Sequence, residues 1–168
     1  MAATNSKLTL RGNPVKVRGE ALSLGQPIPL VSVTNAELKD ISLEELLGSE
    51  LVILAIPSLD TPVCQIEVRQ FNMKISETHP DTKVVVVSRD LPFAQSRWCA
   101  AEGIDNVVVV SDYKHRVFGE AFGVELPDVG ILCRAVFVAD KEGKLKYLDY
   151  VDEISDEPNY DAVLASLS

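Results

Sequence analysis

The sequence predicts an α/β fold with a mixed central sheet flanked by helices and an N-terminal β-hairpin. Three patterns carry that expectation. Short, continuous apolar runs at Leu51–Ile56, Lys83–Val87, Val107–Val110 and Ala135–Val138 have the length of strands covered on both faces. Amphipathic, helix-length segments separate them, as expected for helices packed on a sheet. Alternating residues on either side of turn signals mark an antiparallel hairpin at each end of the chain.

The first of these hairpins is expected over Lys7–Val17, where Leu8, Leu10, Val15 and Val17 flank Gly12-Asn13-Pro14. A strand follows at Ile28–Val33. Ser42-Leu43-Glu44-Glu45 fits a capping box, and Gly48 closes that short helix. After Leu51–Ile56 and a proline-rich loop, a helix is expected to run to about Thr78, with Thr61 as N-cap and Pro62 at the first helical position. Asp90-Leu91-Pro92 opens another helix through Ala101, ended near Gly103. Tyr113–Ala121 reads as a helix. A turn at Lys141-Glu142-Gly143 leads from Ala135–Val138 into an antiparallel strand, Leu145–Tyr150, and Tyr160–Leu167 closes the chain as a helix. No repeat or linker interrupts the 168 residues, so one domain over 1–168 is expected.

Composition narrows the function classes. A net charge of −9 and a pI near 4.7 argue against a nucleic-acid partner, which would be met by clustered Lys and Arg. No apolar run approaches the length of a membrane span, and Met1–Leu10 lacks a secretory h-region, so a cytoplasmic protein away from the membrane is expected. Three cysteines without C-x-x-C spacing suggest neither a disulfide framework nor a zinc site. No cofactor or metal is expected. In a reducing compartment, a disulfide that does form is usually catalytic or redox-sensing.

The informative segment is Ile56-Pro57-Ser58-Leu59-Asp60-Thr61-Pro62-Val63-Cys64, running from the end of a buried strand into the first turn of a helix. The unpaired N–H groups and positive dipole of a helix N-terminus favour the thiolate form of a cysteine placed there. Spacing to Val68, Phe71 and Ile75 also puts Cys64 on the apolar face, so a plain core cysteine fits equally well.

Pro57-x-x-x-Thr61-x-x-Cys64 resembles the peroxidatic motif of the peroxiredoxins, and Asp60-Thr61-Pro62-Val63-Cys64 is similar to their thiol peroxidase branch. The likeness continues through Ser88-Arg89-Asp90-Leu91-Pro92-Phe93-Ala94-Gln95-Ser96-Arg97-Trp98-Cys99, Ser111-Asp112, the run Phe118–Val124 and Arg134-Ala135-Val136-Phe137-Val138, and covers nearly the whole chain in order. The resemblance implies a thioredoxin-like fold, a hydroperoxide substrate, thioredoxin as reductant and a homodimer whose face lies near the active-site loop.

It also implies roles. Cys64 would be the peroxidatic nucleophile, forming a sulfenic acid, and Cys99 an intramolecular resolving cysteine of the two-cysteine type. Thr61 would contact sulfur and peroxide, with a simple N-cap as the alternative. Pro57 would shield the sulfur, or be a turn former only. Arg134, at the start of an apolar strand, would stabilise charge on the leaving oxygen. From position alone, a structural ion pair with one of the 25 acidic residues accounts for it as well.

Cys99 lies in the body of a second helix, and cysteines so placed are not expected to start within the roughly 7 Å that a disulfide requires, so unwinding should accompany closure. Cys133 departs from the family pattern and is expected to be a core residue facing away from Arg134. His79 and His115 read as loop and helix-start residues rather than ligands or bases. Val63, Phe93 and Leu126 give a slight pointer to alkyl hydroperoxides. Two other readings stay open: a thiol–disulfide oxidoreductase, weakened by the missing C-x-x-C, and a redox sensor, which would not consume excess peroxide.

Overall fold

The computed structural model describes residues 7–168. In chain order it contains β1 (Thr9–Leu10), β2 (Asn13–Pro14), β3 (Ser32–Thr34), β4 (Asp40–Ser42), a 3-10 turn (Leu43–Leu46), β5 (Leu51–Ala55), α1 (Pro62–Thr78), β6 (Lys83–Ser88), α2 (Pro92–Glu102) and β7 (Val107–Ser111). Then follow α3 (Val117–Ala121), β8 (Glu125–Leu126), β9 (Ile131–Leu132), β10 (Ala135–Ala139), β11 (Leu145–Tyr150) and α4 (Tyr160–Ser166).

Seven strands form the central sheet in the order β11-β10-β5-β6-β7-β3-β4. The middle strands β5, β6 and β7 run parallel, while β10, β11, β3 and β4 add antiparallel pairs at the two sides. The sheet is therefore mixed, as expected. β1–β2 and β8–β9 are separate two-stranded hairpins.

Side-chain alternation along the strands divides the interior into two cores. Ile53, Ala55, Val85, Val87 and Phe137 face one core, which α3 closes with Phe118 and with Phe122 just past its end. Val52, Leu54, Val84, Val86 and Val136 face the other, covered by α1 with Val68 and Phe71, by Trp98 of α2 and by Val163 of α4. Both faces of β5 are buried, which is why its sequence is apolar throughout.

Five details differ from the sequence expectation. The N-terminal hairpin turns at Arg11 and Gly12, both at positive φ (52° and 80°), so Asn13 and Pro14 belong to the returning strand rather than the turn. Over Ile28–Val33, Pro29 has no N–H for a ladder; Ile28 instead donates to Gly143 O at 2.8 Å, and the strand begins at Ser32. The capped segment at 43–46 is a single 3-10 turn, with Ser42 accepting from Glu44 N. The helix expected from Tyr113 starts only at Val117, because Arg116 adopts a left-handed conformation and the Asp112 carboxylate binds the N–H groups of Phe118 and Gly119. The short strands β4, β8 and β9 carry too few residues for period-two patterning to reveal them.

Candidate active site

Cys64 is the third residue of α1 and follows the carboxyl end of β5, the edge where open α/β sheets place their ligands. Arg134 reaches the same point from the next strand. Ala135 pairs with Ala55, so the residue just before β10 lies beside the end of β5. Cys64 is fully buried and Arg134 is 1% exposed.

A buried guanidinium is costly unless its donors are satisfied. Arg134 donates from Nη2 to Cys64 Sγ at 3.2 Å, from Nε to Ile154 O at 3.0 Å, and from Nη1 to the Glu67 carboxylate. Glu67 is wholly buried, and its second oxygen, Oε1, has no partner among the described residues. Burial pushes the Glu67 carboxyl up to about 7, against the downward pull of Arg134. For Arg134, burial opposes the charge, yet Glu67 and Cys64 outweigh it and raise the guanidinium further.

The loop before Cys64 is fixed by one carboxylate. Asp90 accepts from Ser58 Oγ at 2.6 Å and Leu59 N at 2.9 Å, and Ser88 Oγ also donates to it at 2.7 Å. Thr61 is the N-cap residue, but its side chain makes no capping bond; its hydroxyl donates to Ser58 O at 2.9 Å. Pro57 is buried. Pro57, Thr61, Val63 and Arg134 all line a cavity of about 500 Å³, together with apolar side chains that include Leu10 and Ile131.

The structure thus brings together Cys64, Thr61, Pro57 and Arg134. Cys99 stands apart from that polar cluster, half-buried on α2, and burial raises its thiol. All three cysteines are free thiols. Cys133 belongs to the core on the opposite side of the sheet from Cys64, as expected, and burial pushes it up to about 12. His115 faces Asp40 on the surface, within a turn rather than at a helix start, and His79 caps the end of α1. Phe93 and Leu126 do not line the cavity: Phe93 is 67% exposed, and Leu126 is buried in the core that α3 closes.

Two residues of the site were missed from sequence, Glu67 and Asp90. The signal for Glu67 was present: a glutamate three positions after Cys64 shares the face of Val68 and Phe71, where a carboxylate is tolerated only with a partner.

Residues 23–164 match the Redoxin family. The chain is 43% identical over 158 residues to the thiol peroxidase of Clostridium acetobutylicum, covering 94% of this chain and 95% of that one. It is 41% identical to the thiol peroxidase of Bacillus subtilis, covering 93% of each. The chain belongs to the peroxiredoxins, in their thiol peroxidase branch. Among solved structures it is similar to a peroxiredoxin-like protein from Aquifex aeolicus, with a TM-score of 0.84 and 43% identity over 94% of this chain and 93% of that one. The enzyme is therefore a peroxidase with a thioredoxin-like fold, and the family resemblance read from its motifs holds along the chain. No helix among its described residues is long and apolar enough to cross a membrane.

Proposed function

We propose that the enzyme reduces hydrogen peroxide and organic hydroperoxides through a sulfenic acid on Cys64, resolved by Cys99. The observation that carries this reading is the 3.2 Å approach of the buried Arg134 guanidinium to Cys64 Sγ at a cavity. A cation in a water-poor site favours a thiolate and stabilises negative charge as it develops. The Cys64 thiolate attacks the terminal peroxide oxygen, forming an S–O bond as the O–O bond breaks. The electron pair leaves on the second oxygen, which takes up a proton to become water or an alcohol. Thr61 and Arg134 hold the peroxide, and Pro57 screens the sulfur from bulk water.

Cys99 then attacks the oxidised sulfur. An S–S bond forms, the S–O bond breaks and water departs. Cys64 and Cys99 lie on two different helices, so local unwinding accompanies closure. Thioredoxin returns the disulfide to two thiols. The enzyme works in the cytoplasm as one domain over residues 1–168 and pairs as a homodimer near the active-site loop, where Leu91 and Phe93 offer exposed apolar surface.

Steady-state peroxide consumption with a thioredoxin reducing system tests this reading in the parent, Cys64→Ser and Cys99→Ser proteins. Activity is expected to vanish in Cys64→Ser, and thioredoxin-dependent turnover to vanish in Cys99→Ser. Parent-like turnover by Cys64→Ser would overturn the assignment.

A further inference from the structure

The N-terminal hairpin contributes Leu10, Arg11, Asn13 and Val15 to the lining of the active-site cavity. Its two ends are rooted in the core through Leu8 and Val17, which are 2% and 5% exposed. The tip has a different support. Glu153 lies far along the chain, beyond β11, and its carboxylate accepts from the backbone N–H groups of both turn residues, Arg11 at 2.9 Å and Gly12 at 3.1 Å. Thr9 Oγ1 donates to the same carboxylate at 2.5 Å, and Ser155 donates to it from both its backbone and its hydroxyl. Two backbone bonds frame the clamp: Thr9 N donates to Asp152 O at 2.8 Å, and Ile154 N to Thr9 O at 2.9 Å. Bonds from Ser155 and Thr9 hold the Glu153 carboxyl well below the usual carboxylate range. It is therefore an anion, and a full acceptor, across the neutral range.

We propose that Glu153 is a specificity-determining positioning residue: by clamping the hairpin tip it holds the apolar wall that receives the carbon-bearing end of organic hydroperoxides. This rests on the peroxidase reading given above. Hydrogen peroxide has two heavy atoms and finds its polar contacts at Arg134 and Thr61, so a cavity of about 500 Å³ far exceeds its needs. Cavities of this size suit ligands with a substantial apolar body. In an alkyl or aryl hydroperoxide the substituent hangs from the leaving oxygen, away from the attacking sulfur. Leu10 and Val15 of the hairpin, with Ile131 and Ile154, supply the apolar lining for it. The position of Leu10 and Val15 depends on the tip, and the tip depends on Glu153. The segment also connects to the chemistry, because Ile154 O accepts from Arg134 Nε. A damaged clamp acting only through Arg134 would slow every peroxide alike, whereas a displaced wall slows bulky ones selectively.

The test is the second-order rate of Cys64 oxidation by cumene hydroperoxide and by hydrogen peroxide, measured on parent, Glu153→Gln and Glu153→Ala proteins. The ratio of the two rates is the readout. Glu153→Ala is expected to lower the cumene-to-hydrogen-peroxide ratio by about tenfold, the scale of a lost apolar contact in a substrate pocket. Glu153→Gln, which keeps an acceptor oxygen, should lower it less. An unchanged ratio in a folded Glu153→Ala protein overturns the proposal, including when both rates fall together. If Glu153→Ala does not fold, Leu10→Ala gives the same reading: a fallen ratio supports the wall, and a parent-like ratio overturns it. A parent whose Cys64 reacts with neither peroxide would instead overturn the peroxidase reading on which the proposal stands.

Discussion

Cys64 lies fully buried with a guanidinium against its sulfur, while Cys99 sits half-buried on α2 in apolar surroundings. Around Cys64 the polar ties are buried or part-buried. Arg134 is held by Ile154 O and Glu67, and the preceding loop is held by Asp90. The Cys99 helix is anchored to the sheet by buried Gln95, which donates to Ser88 Oγ at 3.0 Å and Val110 O at 2.8 Å, and by Trp98, but its polar tie to α1 is part-exposed. Arg69 of α1 pairs with Glu102 of α2 at 2.7 Å, and its guanidinium lies 5.9 Å from the centre of the Trp98 ring. A part-exposed ion pair and a single cation–π contact are worth about 1 kcal/mol each at most. Cys64 thus sits in a network of buried polar bonds, whereas the polar tie between the Cys99 helix and α1 is part-exposed. The proposed cycle would use both: fixed geometry for attack on peroxide, and a partner helix that opens locally for closure.

Removing the fixed cation should do the most damage. Arg134→Ala is expected to lower the rate of Cys64 oxidation by about 10²–10³-fold, the scale of losing one preorganised charge stabiliser, as read by stopped-flow peroxide reduction. A parent-like rate would mean that Arg134 is only structural.

Glu67 comes next. Its carboxyl is raised from 4.5 to about 7, so between those values the folded enzyme holds a proton that the unfolded chain has lost. Its contribution to stability is therefore fully present below about pH 4.5 and lost as pH rises through about 7, a change of the order of 3 kcal/mol. Glu67→Gln cannot ionise and should flatten that part of the denaturation-versus-pH curve. An unaltered slope would show that the carboxyl does not titrate there.

Thr61→Val removes a hydroxyl without changing shape. It is expected to slow Cys64 oxidation about tenfold, the scale of one lost hydrogen bond, while the helix remains because the side chain makes no capping bond. The smallest effect tests the other region. Arg69→Ala removes the polar tie between α1 and α2 and should speed disulfide closure by about fivefold in single-turnover quench experiments. Slower closure would show that the latch aligns the helices rather than restraining them.

The buried strands and the start of α1 were legible from sequence because long apolar runs and a proline after an N-cap are local signals. So was the gathering of Pro57, Thr61 and Cys64, which share one loop and one helical turn. What stayed hidden is set by distant partners. Glu153 reaches the hairpin from far along the chain, Asp90 crosses from the end of β6 to Ser58, and Asp112 truncates α3 by binding Phe118 and Gly119. Arg134 could be seen to need a partner, but its sharing between Cys64 and Glu67 depends on the register of β10 against β5.

Peptide mapping tests most directly whether the buried and the half-buried cysteine become one disulfide. The reduced enzyme is treated with one equivalent of hydroperoxide, alkylated without reduction and digested. A Cys64–Cys99 cross-linked peptide with Cys133 recovered as a free thiol is the predicted result. A cross-link that includes Cys133, or Cys64 recovered as an unmodified thiol after the peroxide is consumed, would contradict the account.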